Sequence, residues 1–210
     1  MFSPRGSILE NVSSQLQAET VMDDDTAREL VLEAAERLFY ARGIHAVGMD
    51  DLRAEADISL KRIYRLFPSK DAIVGQVLIR LNRSWIQGMI DYGERADSPR
   101  DKLLAVYDFL EERFRDNDYR GCMFINSFGE LGAAAPLVAE ATRHHKESFQ
   151  RYVTGLVYAA NAPASLAPHL VLLAEGAQTT AGIFGDSNPA VQARAAAETL
   201  IDAALAPARV

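Results

Sequence analysis

The chain has 210 residues, 49% of them hydrophobic, and carries 29 Asp and Glu side chains against 22 Lys and Arg, a formal net charge of −7. This length can bury a substantial core, and the acidic balance excludes non-specific coating of nucleic acid, so any such binding must be local. No stretch reaches the roughly 18 apolar residues of a membrane helix, the first residues lack the apolar segment of a signal peptide, and the single cysteine, Cys122, excludes an intrachain disulfide. We expect a soluble, cytoplasmic protein with no metal and no cofactor.

The first 25 residues mix Ser, Gln, Gly and Pro and close with Asp23-Asp24-Asp25, which favours a mostly disordered extension with at most a short helix over residues 7–16. Thr26 and Glu29 have the spacing of a capping box, so the first helix is predicted to begin at Thr26. Gly43 is predicted to end this helix. Its apolar residues recur on one face, at positions 27, 30, 31, 34, 35, 38 and 39.

The most informative stretch of the sequence is a short cationic helix, the third of the chain. A helix over residues 49–56 precedes it, then a short turn, and Ser59 is its predicted N-cap. Residues 58–70 hold four basic residues and no acidic one, in a chain that is acidic overall. A long helix, a short helix, a turn and a short basic helix form the layout of a helix-turn-helix, whose second helix enters the major groove of DNA. For a charge run taken alone, the alternative is a solvated helix face.

A series of short motifs runs through residues 26–74. In order they are Ala34-Ala35-x-x-Leu38-Phe39 with Gly43, Met49-Asp50-Asp51-Leu52, Ile58-Ser59, Ile63-Tyr64-Arg65-Leu66-Phe67 and Pro68-Ser69-Lys70-Asp71-Ala72-Ile73. In this combination the segment resembles the DNA-binding domain of the TetR family of bacterial transcriptional regulators, and the spacing of Tyr64, Phe67 and Lys70 is the most specific part of the match. The resemblance implies a DNA-binding head over residues 26–71 and a ligand-binding and dimerisation domain over residues 72–210.

Residues around the paired helices are expected to contact DNA. Lys61 and Arg62 are the best candidates for base edges, since Arg and Lys donate to guanine O6 and N7, and Arg65 could contact bases or phosphates. By resemblance, Tyr64 and Lys70 bind phosphates. The alternatives are a Tyr64 ring packed on the first helix and a simply solvated Lys70. Further contacts are expected from Gly48, Met49, Ser59 and Leu60.

Three positions of the head depart from the usual family residues. Gly48 stands where a Ser or Thr usually caps the second helix and touches phosphate, so that side-chain contact with phosphate is expected to be lost. Arg53 replaces a small Ala, and Asp57 replaces the Gly of the turn. Asp tolerates a left-handed backbone, and Arg53 and Asp57 are four residues apart. We therefore expect an ion pair between these two side chains.

The remainder of the chain is predicted to be helical throughout, which gives an all-α fold of about nine helices. The helix that opens at Ser69 is expected to continue to about residue 96 and to connect the head to the second domain. Further helices are predicted over residues 98–117, 122–131, 136–160, 163–184 and 188–205.

Bulky apolar residues on successive helices of the second half predict a ligand cavity, with ordinary core packing as the alternative. Asn126 and Glu130 could be polar anchors in this cavity or could cap neighbouring helices. Cys122 is expected to be inert core, with a redox-sensing thiol as the alternative. The adjacent His144 and His145 are not expected to share a metal because they point to different parts of a helix. The predicted cavity residues are Trp85, Met89, Tyr107, Met123, Phe124, Asn126, Phe128 and Phe149.

Small residues are frequent in the last two helices and allow close helix approach. The resemblance implies that these helices form a homodimer, with packing within the chain as the alternative. The sequence therefore favours a ligand-responsive dimeric repressor that binds a palindromic double-stranded DNA operator and is released by a small apolar or amphipathic effector of unknown identity. The departures at Gly48, Arg53 and Asp57 leave a helical interaction protein with weakened DNA binding as the alternative. An enzyme is disfavoured because no nucleophile elbow, Walker loop or dinucleotide fingerprint occurs, and no catalytic residue is predicted.

Overall fold

The computed structural model describes residues 22–206, so most of the extension predicted over residues 1–25, including the short helix suggested for residues 7–16, lies outside the described residues. Within residues 22–206 the chain forms nine α-helices and no strand, which confirms the all-α prediction. A short 3-10 turn, Gly132–Ala134, joins the sixth and seventh helices. The helices are α1 (Asp24–Arg42), α2 (Met49–Ala56), α3 (Leu60–Leu66), α4 (Lys70–Glu94), α5 (Pro99–Phe114), α6 (Met123–Leu131), α7 (Pro136–Ala159), α8 (Leu166–Phe184) and α9 (Asn188–Leu205).

The start of α1 differs from the sequence prediction. Asp23 is the N-cap, and its carboxylate accepts from the Thr26 backbone N–H at 2.7 Å and from the Thr26 hydroxyl at 3.1 Å. The capping box at Thr26 is therefore wrong, because an Asp side chain already satisfies the orphan backbone donor of the first turn. The Glu29 carboxylate lies instead 2.5 Å from the guanidinium of Arg80 on α4.

The first hydrophobic core holds the head together and continues into the second half of the chain. Ile58, Ile63 and Phe67 are buried in this core with residues of α1 and α2. Cys122 and residues of α6 and α7 complete the same cluster, so the head does not pack on its own side chains alone. The residues contributed by the second half are Cys122, Met123, Phe124 and Val138.

The second core lies between α5, α7, α8, α9 and the far end of α4. Tyr107 is fully buried there, and its hydroxyl donates to the Leu170 carbonyl at 2.8 Å, which satisfies the one polar atom of its side chain. Met89 and Phe149 are also buried in this cluster. At 1.5 Å per residue the 25-residue α4 is about 37 Å long, so it reaches from the first core to the second.

A set of hydrogen bonds, here called the α1–α6 clamp, ties the head to α6 and the turn before it. The Glu130 carboxylate of α6 accepts from the backbone N–H of Ile44, at 2.9 Å, and from that of His45. The Tyr40 hydroxyl of α1 donates to the Gly121 carbonyl at 2.9 Å and accepts from the Arg120 N–H at 2.7 Å. The Glu130 bonds satisfy backbone donors of the loop that leads from α1 to α2, and the Tyr40 bonds satisfy backbone groups of the turn before α6.

Glycine at position 43 makes the clamp possible. Gly43 is the C-cap of α1 and has φ of 84°, a conformation that favours glycine. A Cβ at this position would also come within 3.0 Å of a Glu130 carboxylate oxygen. The loop can therefore approach Glu130 closely because residue 43 has no side chain.

Within the described range, 22–206, no helix is long and apolar enough to cross a membrane.

Candidate nucleic-acid interface and adjoining cavity

The turn between α2 and α3 has the geometry that a helix-turn-helix requires. Asp57 is the C-cap of α2 and adopts the left-handed conformation, with φ of 53° and ψ of 39°, as the sequence predicted. The Ser59 hydroxyl caps α3 by accepting from the Arg62 N–H at 3.3 Å. At the other end of α3, Arg28 of α1 donates to the Leu66 carbonyl at 3.0 Å. Both ends of α3 are thus fixed by polar groups.

The two faces of α3 differ in exposure and charge. Ile63 and Leu66 are buried against the core, whereas Lys61, Tyr64 and Arg65 are exposed. Tyr64 is 50% exposed, which argues against a ring fully packed on α1. The exposed face therefore presents two cations and a phenol hydroxyl to solvent. Around it, Gly48 and Ser59 are exposed, and Met49, Leu60 and Lys70 are partly exposed.

Two arginines of α3 are held by the N-terminus of α1. The Nη2 atom of Arg62 donates to the carbonyls of Met22 and Asp23, the latter at 2.8 Å, and to the Asp24 carboxylate at 3.0 Å. Arg65 Nη2 donates to the same Asp24 oxygen at 2.7 Å. The Arg62 side chain is only 21% exposed, compared with 62% for Arg65. Arg62 therefore braces α3 against α1 in this conformation.

The predicted ion pair between Arg53 and Asp57 is wrong. Arg53 Nε lies 3.5 Å from a carboxylate oxygen of Asp50, three residues before it in the same helix, and this neighbour takes the place of Asp57. The missing cap at Gly48 is partly replaced from within α2, because the Asp51 carboxylate accepts from the Gly48 N–H at 2.7 Å. Asp51 also bonds Arg42 of α1 at 3.1 Å, so α2 is attached to α1 at this point.

A cavity of about 190 Å³ lies on the seam between the head and the second half of the chain. The residues of α1 form one wall, α4 forms another, and the turn before α6 together with α6 itself closes the third. The α1–α6 clamp borders this cavity through Tyr40 and Gly121. The lining residues are Glu36, Arg37, Tyr40, Leu81, Trp85, Arg113, Tyr119, Gly121, Cys122, Met123, Phe124, His145 and Gln178.

The structure brings together only part of the predicted cavity set. Trp85, Met123 and Phe124 line the cavity. Met89, Tyr107 and Phe149 are instead packed in the second core, because their helix faces are fully covered by α5, α7 and α8. Phe128 is 48% exposed on the outer face of α6. Asn126 donates to the Arg120 carbonyl at 2.8 Å, and Glu130 serves the clamp, so both bond to backbone groups rather than line this cavity.

Two buried polar side chains face the cavity. The His145 ring stacks on Phe124 with centroids 3.8 Å apart, and its Nδ1 atom lies 2.8 Å from the Asn82 amide oxygen. Burial lowers the pKa of His145 to about 3, with smaller effects from Lys146 and His144, so the ring is neutral. Gln178 is 1% exposed, and its Oε1 atom has no hydrogen-bond partner in the described part of the chain.

An ion pair lies behind the cavity wall. Lys146 Nζ is 2.6 Å from the Glu175 carboxylate and 3.5 Å from the Cys122 sulfur. At the cavity itself, burial raises the pKa of Glu36, although Arg80 nearby acts in the opposite direction. Arg37 is held by Glu55 of α2 at 3.1 Å, which is a second connection between the cavity wall and the helix-turn-helix.

Several of these residues escaped prediction from the sequence. Glu36, Arg37 and Tyr40 lie on the helix that was assigned wholly to the DNA-binding head, and Gln178 lies on a helix assigned to dimerisation. No local pattern indicates that they meet. The N-cap Asp23 was detectable, since a run of Asp residues at a helix start is a frequent N-cap signal, but this signal does not indicate the bonds of Asp24 to Arg62 and Arg65.

Comparisons with known proteins agree on one family. Residues 31–77 match the family described as bacterial regulatory proteins, tetR family. The HTH-type transcriptional regulator YjdC of Escherichia coli K12 is 34% identical over 102 residues, which cover 47% of this chain and 52% of YjdC. An uncharacterized HTH-type regulator of Mycobacterium tuberculosis is 29% identical over 112 residues, or 51% of this chain and 54% of its own. The chain thus spans about half the length of these curated relatives.

Solved structures match over most of the chain. A TetR-family transcriptional regulator from Streptomyces coelicolor superposes with a TM-score of 0.81 and 27% identity, covering 86% of this chain and 96% of that one. A TetR regulator from Chloroflexus aurantiacus gives a TM-score of 0.74 at 20% identity, over 85% of this chain and 95% of its own, and supports the fold alone.

The burial of His145 predicts a specific dependence of stability on pH. The pKa of an unfolded histidine is about 6.5, and that of His145 is about 3. Between these values the unfolded state takes up a proton that the folded state does not, so the free energy of unfolding falls as the pH is lowered below 6.5. Over the first two pH units this contributes about 2 to 3 kcal/mol.

Urea unfolding at several pH values checks this expectation with a neighbouring control. Between pH 6.5 and 4.5 the free energy of unfolding of His145→Gln should fall by about 2 kcal/mol less than that of the wild type. His144→Gln, which changes the adjacent exposed histidine, should follow the wild type. Equal pH slopes for the two variants would contradict a buried neutral His145.

Proposed function

Because the chain belongs to the TetR family of bacterial transcriptional regulators, we propose that it is a sequence-specific DNA-binding repressor whose release from DNA is controlled by a small-molecule effector. The family consists of regulators rather than enzymes. The observation that carries the proposal is the exposed cationic face of α3 in a protein whose net charge is −7. A localised basic surface on an acidic protein suits a polyanionic partner bound at one place, in the cytoplasm where the chromosome lies.

In the proposed complex α3 lies in the major groove. Lys61 points away from the buried residue Ile63 and is free to donate to base edges. Tyr64 is placed to donate to phosphate. Lys70 opens α4, where the Ser69 hydroxyl already accepts from the Ala72 N–H at 3.2 Å, and the N-terminal end of that helix favours an anion. Met49 begins α2 and would approach the DNA backbone through its amide group, whereas the N–H of Gly48 is already bonded to Asp51.

Unlike Lys61, the side chains of Arg62 and Arg65 are already held by an ion pair in this structure. Both side chains are bonded to Asp24. To contact DNA, each guanidinium would have to leave the Asp24 carboxylate oxygen and bond a phosphate or base oxygen in its place. Arg65 is the more exposed of the two and has a single carboxylate partner, which makes the exchange simpler for it. We therefore assign the first base contact to Lys61 and assign Arg62 mainly to the support of α3.

A homodimer through α8 and α9 would present two such heads. Leu172 and Ile183 are 70% and 73% exposed, and both lie on one face of α8 with Gly176, where an added Cβ would meet no atom within 4 Å. Val191 of α9 is 46% exposed. Exposed apolar residues beside a small-residue surface favour a partner helix. Two heads about 34 Å apart would match successive major grooves of a palindromic operator.

The cavity gives a plausible route from effector to DNA. It is bounded by α1, which supports α3 through Arg28, and by α4, which carries Lys70 at its start. An effector that binds more tightly to a conformation in which the two heads do not match the operator would release the DNA, and only such a difference in affinity can do so.

Gel-shift titration against the region upstream of its own operon tests DNA binding. Lys61→Ala should weaken binding roughly 5- to 150-fold, since one base contact is lost. Tyr64→Phe should weaken binding to all sequences alike. Arg115→Ala, which removes an exposed cation at the end of α5, should leave binding unchanged. Absence of a shift at low salt for the wild type would favour a helical interaction protein with weakened DNA binding.

Light scattering after size exclusion tests the dimer. Leu172→Asp places a charge on the exposed face of α8 and should convert the dimer to a monomer at micromolar concentration. Ile79→Asp changes a similarly exposed apolar residue on α4, at 61% exposure, and should leave the dimer intact. A wild-type monomer, or a dimer that survives Leu172→Asp, would contradict the assignment of α8 to the interface.

A further inference from the structure

We propose that Asp24 is an intramolecular competitor of DNA, which occupies the guanidinium of Arg65 and so lowers the affinity of the head for phosphate. The inference rests on the proposed function and adds a means by which the chain itself limits the strength of DNA binding. It is carried by the position of one carboxylate beside the exposed cationic face of α3.

The Asp24 carboxylate bonds two cations of α3 at once. Its Oδ1 atom accepts from Arg62 Nη2 at 3.0 Å and from Arg65 Nη2 at 2.7 Å. Within residues 22–206, Asp24 is the only ion-pair partner of Arg65. The bond from Arg62, and after it the bond from Arg65, lowers the pKa of the Asp24 carboxyl, so this group is charged at neutral pH.

Arg65 lies on the face of α3 that DNA would contact. It follows Lys61 by four residues, about one helical turn, and both side chains are exposed. The Arg65 side chain keeps 62% exposure in its pair with Asp24, so a phosphate can reach the guanidinium from solvent. A phosphate oxygen that bonds Arg65 takes the place of the Asp24 oxygen and leaves that carboxylate unpaired beside the negative DNA backbone. Both effects reduce the free energy gained from the phosphate contact.

The Asp24 carboxylate is not needed to hold α3 against α1. Arg62 also donates to the backbone carbonyls of Met22 and Asp23, the latter at 2.8 Å. Arg28 fixes the C-terminal end of α3 through a bond to a backbone carbonyl at 3.0 Å. None of these bonds involves the Asp24 side chain. Support of α3 and competition for Arg65 are therefore carried by different atoms, and a change of the Asp24 charge separates them.

Three consecutive Asp residues, 23–25, lie at the start of α1, and only one of their side chains bonds α3. The Asp23 carboxylate accepts from the backbone and hydroxyl of Thr26 and caps α1. The Asp25 side chain is exposed and forms no ion pair with another residue of the described range. Asp25 is therefore a matched control for Asp24, because it has the same charge at the same helix end without a bond to α3.

Fluorescence anisotropy on the full-length protein measures the competition. The two probes are a labelled duplex of unrelated sequence and one that carries the region upstream of its own operon. Asp24→Asn should bind both duplexes about 3- to 10-fold more tightly than the wild type, because two exposed ion pairs no longer oppose the phosphate. Asp25→Asn should change either affinity by less than about twofold, since a distant exposed charge is screened by salt.

A second substitution identifies the cation for which Asp24 competes. When Arg65→Gln is already present, Asp24→Asn should change the affinity by less than about twofold. With Arg65 intact, Asp24→Asn should also steepen the dependence of the logarithm of affinity on the logarithm of salt concentration by about 1, since one more phosphate is neutralised. Urea unfolding verifies that the variants are folded, and Asp24→Ala repeats the measurement with a strong helix former at this position.

The direction of the change separates competition from a purely structural role. If Asp24 only supported α3, its loss would weaken DNA binding. Unchanged or weaker binding by Asp24→Asn and Asp24→Ala, or equal gains for Asp24→Asn and Asp25→Asn, would overturn the inference. Failure of the proposed function has a different result, in which neither the wild type nor Asp24→Asn distinguishes the upstream region from the unrelated duplex. A gain in affinity for both duplexes still supports the competition in that case.

Discussion

The fold depends on a carboxylate that lies far along the chain from the groups it satisfies. The loop after α1 leaves the N–H groups of Ile44 and His45 without helical partners, and Glu130 of α6 accepts from both. The Ile44 N–H is partly buried, where an unpaired donor is costly, whereas the His45 N–H is exposed, so the bond to Ile44 contributes most to fixing α1 relative to α6. Because α1 also braces α3 through Arg28 and through the bonds from Arg62, the direction of the exposed cationic face of α3 follows from the position of α6.

The head and the second half therefore behave as one packed unit along their seam. Their hydrophobic cluster is shared, and Arg80 of α4 approaches Glu29, Glu33 and Glu36 of α1. The cavity lies on the same seam, where a ligand would contact both parts directly. The cavity wall and the support of α3 belong to the same helix, α1, so the cavity is connected to α3 without a long chain of intermediate residues.

Sequence reasoning succeeded wherever a local pattern decides the structure. The helices, the left-handed turn at Asp57 and the cap at Ser59 follow from spacing and residue type. It failed where residues distant in the sequence meet, since periodicity does not show which apolar face of a helix meets a cavity and which meets a core. Met89 and Trp85 lie one helical turn apart on α4, yet only Trp85 reaches the cavity. The bonds of Arg62 to the start of α1 have no signal of their own in the sequence.

The most direct test of the clamp is the operator affinity of Glu130→Ala, compared with that of Glu140→Ala, which changes an exposed residue on α7. If the clamp sets the position of α3, Glu130→Ala should weaken operator binding, whereas Glu140→Ala should bind like the wild type. Equal operator affinities for the two variants would contradict the account.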